Sequence, residues 1–344
     1  MELVEMRQTQ KAGDNSINVQ GDVVHFGVSY RDAREIAKDV FEENIVKFTE
    51  VARGTASRRA HEFTEKLISS LPVEALESLQ DPDVQRSLFY AQQEFACSGE
   101  KDLGELLLKL LADRMQSTER GVKTLALNEA LRTAPKLTSR HFAALSVLMI
   151  CIQTKLGANS VEDLHRSLSQ VLSPIVKDFQ ITRADVAYLE YAGCLSSNAF
   201  TTNLGDAFSS TYPGLFTAGF MEEWISEDSR SALIPLTQEC LRDPAMIQLP
   251  ILPKNEILEI ADQESFRPHK QEIERLMGIG SMAVEEIERE ISGIDEDLAD
   301  FPKRYNASSL VNSQLTAIGT TLAYTNLKRV VGDHFDAELD VWVH

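Results

Sequence analysis

The chain has 344 residues, of which 43% are apolar and 25% are charged, a composition typical of a folded globular protein with an ample core. Its formal charge of −19 disfavours a broad nucleic-acid surface, because phosphate binding relies on clustered lysine and arginine side chains. The four cysteines are too widely spaced for a metal or redox motif, and no apolar run approaches the roughly 20 residues that cross a bilayer. We therefore expect a cytoplasmic protein without a membrane span, a metal or a cofactor.

The first thirty residues contain two short runs of β-forming side chains, each preceded by turn formers. The letters GDN precede the first run and GD precede the second, which predicts two β segments within residues 16–26. A two-stranded piece of this size is only marginally stable alone. Residues 1–28, the N-terminal segment, are therefore expected either to pack on their own domain as an ordinary strand pair or to join the subunits of a homo-oligomer. The apolar side chains available for such contacts are Ile17, Val19, Val23 and Phe26.

Helical periodicity begins at Ser29 and continues to about residue 200, which predicts a helical core domain over residues 29–200. Its centre is the run from Phe142 to Ile152, which is apolar in ten of eleven positions. A helix that is apolar on every side must be buried on every side, so this run is predicted to be the core helix. Thr138 stands where its N-cap is expected.

The composition of the sequence changes after residue 200. Residues 201–344 are predicted to be loop-rich at first, then helical, and to end in a strand. Aromatic residues accumulate at the start of this region, and they are predicted either to line a ligand pocket or to form the core beneath long loops. The pocket candidates are Tyr188, Tyr191, Phe208, Tyr212, Phe216 and Trp224.

The C-terminal part is predicted to contain a helix that begins at Ser309 and ends near Gly332. The letters FDAELDVWV after it alternate between apolar and acidic residues, which predicts a half-buried strand over residues 335–343. The expected fold is therefore all-α, with β segments only at the two ends of the chain, at about 16–26 and 335–343. We expect these ends to pair with each other or with those of another subunit.

Sequence motifs for common chemistries are missing. The chain has no phosphate-binding loop of the form GxxxxGK[ST], no HExxH zinc motif and no GxSxG nucleophile motif. Arg329 and His334 have four residues between them, the spacing with which certain all-helical ribonucleases pair an arginine with a proton-transferring histidine. Gly332 lies between them, where the helix is expected to end, and this disfavours placing both side chains at one site. The alternative is that Arg329 stabilises the end of a helix and His334 lies in a turn.

Three landmarks resemble an uncharacterised family of bacterial soluble proteins known by locus-tag names. They are KAGDNSINVQGDVVHFGVSYRDAREIAKDVFEEN with its G-D-N-S-x-N-x-Q-G-D motif, LNEALRTAPKLTSRHFAALSVL, and LTAIGTTLAYTNLKRVVGDHFDAELDVWV. The resemblance implies a bacterial cytosolic protein and suggests a role in phage defence or stress response. It carries over no catalytic residue.

Two functional hypotheses follow from these observations. The first is a non-enzymatic, homo-oligomeric sensor or interaction protein of antiviral defence, which contacts a protein partner rather than a membrane. The alternative is a ribonuclease-like or otherwise toxic effector that uses Arg329 and His334.

Overall fold

The protein is predominantly α-helical, as the periodicity of its sequence predicts. The structure is a computed structural model that describes residues 29–42, 49–117 and 119–344. The predicted β segments at 16–26 lie outside these ranges. Within the described ranges, none of the helices combines the length and the apolarity that crossing a bilayer requires.

The first ten helices cover the chain up to residue 191. They are α1 Tyr30–Glu42, α2 Glu50–Ser70, α3 Val73–Leu76, α4 Pro82–Ser98, α5 Lys101–Gln116, α6 Val122–Thr133, α7 Ser139–Leu148, α8 Val161–Val171, α9 Ser173–Val176 and α10 Arg183–Tyr191. A single π-helical turn, Met149–Gln153, continues α7.

The second half combines shorter helices with four very short strands. The helices are α11 Leu204–Thr211, α12 Glu227–Leu233, α13 Lys254–Ala261, α14 Lys270–Gly280, α15 Val284–Ser292, α16 Phe301–Ala307 and α17 Ala317–Val331. The strands are β1 Leu195–Ser197, β2 Gln238–Glu239, β3 Ile247–Gln248 and β4 Ser313–Leu315.

The core is centred on α7 and α17, which pack against each other. Residues 142–151 are buried, as their apolar sequence predicts, and so is every residue of α17 from Gly319 to Leu327. The prediction is wrong for Ile152, the last residue of the run, which is 37% exposed where the π-helical turn ends. The polar groups in this contact are paired: Asn326 Nδ2 donates to Ser146 Oγ at 3.0 Å, and Ser146 Oγ donates to the Ala323 carbonyl at 3.3 Å. Helices α5 and α6 cover the remaining sides of α17.

The N-terminus of α17 is held against the chain that follows α10. Thr316 caps the helix, and its hydroxyl donates to the Gly193 carbonyl at 2.6 Å. Gly319 lies one turn further on, where a Cβ would overlap the carbonyl oxygen of Cys194. Glycine is therefore required here by close backbone approach. The helix predicted from Ser309 begins only after Thr316, because β4 pairs with β1 in the intervening residues.

The predicted C-terminal strand is wrong. Residues 335–343 form no strand; the chain makes two 3₁₀ turns, Gly332–His334 and Leu339–Val341. The buried side chains Phe335, Leu339 and Val343 are spaced by four residues, while Val341 is 62% exposed. Local hydrogen bonds such as Val343 N–H to the Leu339 carbonyl satisfy the backbone without a partner strand.

The prediction that β structure occurs only at the chain ends is also wrong for the described residues. The strands there pair as β1 with β4 and β2 with β3, both antiparallel. Ser196 lies opposite Gln314 in one pair, and Gln238 lies opposite Gln248 in the other. These ladders join loops and do not form a central sheet.

In the described part of the chain, two larger hydrophobic cores support the fold, together with a small cluster of Phe41, Ala56, Ala60 and Ala96. The main core contains side chains from Ala33 to Val343, including residues on both sides of position 200. The second core is local to the segment from Phe220 to Leu276. The domain division predicted at residue 200 stays a prediction, and so does a separate N-terminal segment of residues 1–28.

One prediction concerns two glycines that lie inside helices. Gly319→Ala should lower the free energy of unfolding by about 2–4 kcal/mol, since its Cβ meets the backbone of Cys194. Gly54→Ala in α2 should instead raise it by about 0.5–1 kcal/mol, because none of the described atoms outside its own helix lies within 4 Å of an added Cβ. Urea denaturation of both variants checks these opposite signs, and equal effects would refute the close approach at Gly319.

A second prediction concerns Asp113, a carboxyl group on α5 that lies under the C-terminal segment. Burial, together with the nearby charge of Glu338, raises its pKa from the usual 3.8 to about 6, although the charges of Lys123, Lys109 and Lys328 oppose the rise. The folded state therefore binds this proton more tightly than the unfolded chain, so folding loses stability as the pH rises from about 4 to above 6.

Asp113→Asn should remove that cost, because the amide is neutral at every pH. We expect the variant to exceed the wild type in unfolding free energy by about 1–3 kcal/mol at pH 8 and to match it at pH 4. Urea denaturation at the two pH values measures the difference, with Glu105→Gln on the exposed side of α5 as the control. A gain of the same size at both pH values would contradict the assignment.

Candidate functional site

Three of the six aromatic pocket candidates form a buried cluster. The ring of Phe208 lies 5.9 Å from that of Tyr212 and 6.2 Å from that of Phe216, measured between centroids. The Tyr212 hydroxyl accepts a hydrogen bond from the Leu156 N–H at 2.8 Å. This cluster belongs to the main core, and Phe216 is its member that also faces a cleft.

The other three candidates lie at the surface. Tyr188 stacks on His141 with centroids 5.5 Å apart, and Tyr191 is 88% exposed beside it. Trp224 is 42% exposed in a 3₁₀ turn. Of the six candidates only Phe216 lines the cleft, and a ligand-binding role for any of them stays a prediction.

The cleft has a volume of about 750 Å³, within the range of small-molecule sites. Its walls are the segment from Asp206 to Phe220, the segment from Leu249 to Leu258, and the end of α14 from Glu274 to Ser281. The floor is apolar and contains Phe216 of the main core together with Phe220 and Leu276 of the second core. The cleft thus lies where the two cores meet.

Backbone pairing holds the walls of the cleft in place. Thr217 forms an antiparallel bridge with Ser281, and Phe220 forms another with Ile247. The Ala218 N–H also donates to the Gly280 carbonyl at 2.8 Å. These contacts join the first wall segment to the end of α14 and to β3, the strand that precedes the second wall segment.

The rim of the cleft carries three charged side chains without partners. Asp206, Lys254 and Glu274 are exposed and form no hydrogen bond or ion pair with the described part of the chain. The hydroxyl groups of Ser209 and Ser210 are likewise without side-chain hydrogen bonds there. The cleft therefore combines an apolar floor with polar groups that are available to a ligand.

The wall behind Phe216 contains a charge network that is already satisfied. The Arg242 guanidinium lies 5.4 Å from the centroid of the Phe216 ring and donates to Glu290 at 2.8 Å. His165 Nε2 is 2.7 Å from the same carboxylate oxygen. Burial opposes ionisation of Glu290, but the hydrogen bonds and charges of Arg242 and His165 outweigh it, and its pKa is lowered. This network links α8 and α15 to the cleft wall and supports it.

The structure does not bring Arg329 and His334 together as a pair. The Arg329 guanidinium donates to Asn326 Oδ1 at 2.9 Å and lies 3.6 Å from Asp102. His334 is exposed in the turn beyond α17. Within the described residues these two side chains share no hydrogen bond, and their catalytic role stays a prediction. The oligomerisation candidates Ile17, Val19, Val23 and Phe26 lie outside the described residues.

His141 and Asp185 form a buried pair that sequence reasoning missed. His141 Nε2 lies 3.2 Å from Asp185 Oδ1, and its Nδ1 accepts the Thr138 N–H at 3.1 Å. Nδ1 is therefore the acceptor nitrogen and Nε2 donates to the carboxylate, so neither nitrogen is free for proton transfer. Asp185 also accepts from Thr182, and the pair ties the N-termini of α7 and α10 together.

No group of three or more histidine, cysteine, aspartate or glutamate side chains among the described residues is arranged to hold a metal ion. The cleft residues Leu249, Ile257 and Met277 were also missed, because their spacing is that of ordinary core positions. A usable signal was the glycine at 278 near the end of α14, which lines the cleft and has no described atom outside its own helix within 4 Å of an added Cβ, whereas Gly280 packs closely against Phe220.

A family model matches residues 27–343, and the chain therefore belongs to that family, an uncharacterised one that is known by a locus-tag name. Neither a curated protein nor a solved structure matches the sequence. The match covers the cleft and both cores. It begins after the G-D-N-S-x-N-x-Q-G-D motif, so the role of that motif and the association with phage defence stay predictions.

Proposed function

We propose that this member of the family is a non-enzymatic sensor that binds a small molecule in the cleft between its two cores. We also propose that it assembles into a homo-oligomer through residues 1–28 and acts with a protein partner in antiviral defence in the bacterial cytosol. The observation that carries the sensor proposal is the cleft itself, which has an apolar floor and a rim of unpaired charges.

The position of the cleft suits a sensor. A ligand there contacts Phe216 of the main core and Phe220 and Leu276 of the second core at the same time. Such a ligand favours the arrangement in which the two cores are closed on it, and it shifts the population towards that arrangement by its differential affinity. Ligand binding thereby changes the conformation of the segment from Phe220 to Leu276.

The chemistry of the lining favours binding over catalysis. The described lining includes serine hydroxyls and carboxylates but no histidine or cysteine that would activate a nucleophile. Asp206 and Glu274 suit an amino group, Lys254 suits an anionic group, and the floor suits an apolar body. The proposed ligand is therefore an amphipathic small molecule with polar groups at its edge.

Filling the cleft should abolish ligand binding without unfolding the protein. Gly278 lines the cleft, and no atom lies within 4 Å of a Cβ added there, so Gly278→Phe places a ring in empty space. The probe is 8-anilinonaphthalene-1-sulfonate, whose rings suit the floor and whose sulfonate suits Lys254. We expect about a tenfold or greater loss of probe affinity, measured by fluorescence titration.

Gly54→Phe is the matched control, since Gly54 is also a helical glycine, lies in α2, and has no described atom outside its own helix within 4 Å of an added Cβ. This variant should bind the probe like the wild type. Gly278→Ala provides a milder variant that should gain stability and keep binding. Equal binding by Gly278→Phe and the wild type would show that the probe does not occupy the cleft and would refute the sensor site.

Deletion of residues 1–28 should reduce the mass of the particle in solution, because this N-terminal segment is proposed to join subunits. Light scattering coupled to size-exclusion chromatography measures that mass. The unchanged helical circular dichroism of the truncated chain provides the folding control. An identical oligomer before and after deletion would refute the proposed role of the N-terminal segment.

The alternative function is tested by incubating the purified protein with RNA. Cleavage by the wild type that both Arg329→Ala and His334→Ala abolish would favour an effector instead.

A further inference from the structure

The second core is built from one continuous stretch of the chain. Its buried side chains run from Phe220 to Leu276, and the partly buried apolar side chains packed against them belong to the same stretch. Helices α12, α13 and α14 also lie within it. Among the described residues, these buried side chains form a cluster separate from that of the main core. We refer to residues 220–280 as the second-core segment, because they pack on one another as a unit.

The chain enters and leaves the second-core segment at one place. Thr217 forms an antiparallel bridge with Ser281, and the Ala218 N–H donates to the Gly280 carbonyl at 2.8 Å. The two crossings therefore lie side by side and make one narrow connection, residues 217–219 with 280–281, which we call the hinge. A unit with its own core that is joined to the rest of a protein by such a connection can rotate about it.

In the described part of the chain, a single ion pair joins the second-core segment to the main body. It lies between Arg242, in the loop from β2 to β3, and Glu290 of α15, with Nη2 and Oε1 2.8 Å apart. The other described ion pairs of the segment are internal to it: Lys270–Asp262 and Arg275–Glu272. The electrostatic attachment of the segment therefore depends on Arg242.

The surroundings of Arg242 make this attachment strong. Both side chains of the pair are only 18% exposed, so solvent screens their attraction less than that of a surface pair. The Arg242 guanidinium also donates to the Leu215 carbonyl and lies over the Phe216 ring, and both of these residues belong to the main core. His165 holds the same Glu290 oxygen from the other side. One side chain of the segment is thus fixed to the main core by three contacts.

We propose that the second-core segment rotates about the hinge as a unit and that Arg242 is the latch that holds it against the main core. As regulation of the cleft, this inference rests on the proposed function, because the cleft has one wall on the main core and another on the segment. A ligand that contacts both walls favours the latched arrangement. Loss of the latch reduces the population that binds the ligand and so lowers its apparent affinity.

Distance measurements between two spin labels by pulsed electron paramagnetic resonance test the motion without a ligand. The labels are attached at Glu105→Cys on α5 and Glu264→Cys in the second-core segment, two exposed positions. The background carries Cys97→Ser, because Cys97 is exposed whereas the other three cysteines are buried. We expect one narrow distance distribution with the latch intact and a broader or shifted distribution in Arg242→Ala.

Two further variants separate a latch from a general loss of structure. Glu290→Gln removes the same ion pair from the main-core side and should broaden the distribution as Arg242→Ala does. The double variant should broaden it no further than either single variant, because the two residues act through one contact. Arg275→Ala is the matched control, since Arg275 also pairs with a carboxylate, Glu272, but within the segment. It should keep the narrow distribution.

The probe 8-anilinonaphthalene-1-sulfonate connects the latch to the cleft. Its affinity should fall about threefold or more in Arg242→Ala, although Arg242 does not line the cleft, and it should stay unchanged in Arg275→Ala. Bound probe should also narrow the distance distribution of Arg242→Ala, because it favours the arrangement in which both walls contact it.

The hinge and the proposed function fail on different results. The same narrow distribution in the wild type, Arg242→Ala and Glu290→Gln would overturn the hinge and leave the cleft as a ligand site. Equal broadening in Arg275→Ala would show that loss of any ion pair loosens the segment, and Arg242 would not be a latch. A broader distribution in Arg242→Ala without a change in probe affinity would overturn its regulation of the cleft. Equal probe binding by Gly278→Phe and the wild type refutes the cleft site alone.

Discussion

The structure depends on the contact between α7 and α17, two helices that have no solvent-facing side over most of their length. Residues 142–151 and 319–327 are buried, so each helix must be enclosed by other elements. Their few polar side chains are paired within the contact, for example Ser146 with Asn326, or bond to the backbone of their own helix, as Thr325 does to the Thr321 carbonyl. The amphipathic helices around them are arranged by the need to cover these two.

The requirement for close packing extends from α17 to the loops of the second half. Gly319 lets α17 approach the backbone of Cys194, and this contact places β1 beside β4. The aromatic cluster of Phe208, Tyr212 and Phe216 then connects the main core to the segment that forms the second core. The cleft lies where these two cores meet, with Phe216 from one and Phe220 and Leu276 from the other.

The charged side chains fall into two groups: some are buried and paired within the structure, and others are exposed and available to a ligand. Arg114 is a buried arginine that donates to Asp83, Asn128 and the Ser117 carbonyl, and so joins α4, α5 and α6. Hydrogen bonds from Arg114 and Asn128 lower the pKa of Asp83 and keep it ionised. The rim of the cleft differs from this network, because its charged side chains are exposed and form no hydrogen bond or ion pair with the described part of the chain.

The sequence by itself determined the helical class, the central buried run from Phe142 to Cys151 and its cap at Thr138, because these follow from local periodicity and capping chemistry. Its aromatic residues from Tyr188 to Trp224 predicted either a pocket or a core beneath loops. Only the tertiary structure decided which of them are core and which face the cleft, since an apolar residue has the same pattern in either place. The C-terminal segment shows the same limit: its alternation predicts one buried side, but a strand also needs a partner, and Phe335, Leu339 and Val343 are buried in the main core without one. The buried amide of Gln92, whose Nε2 joins α4 to α1 and α2 and whose Oε1 has no hydrogen bond, had no sequence signal at all, because these contacts depend on how three helices pack.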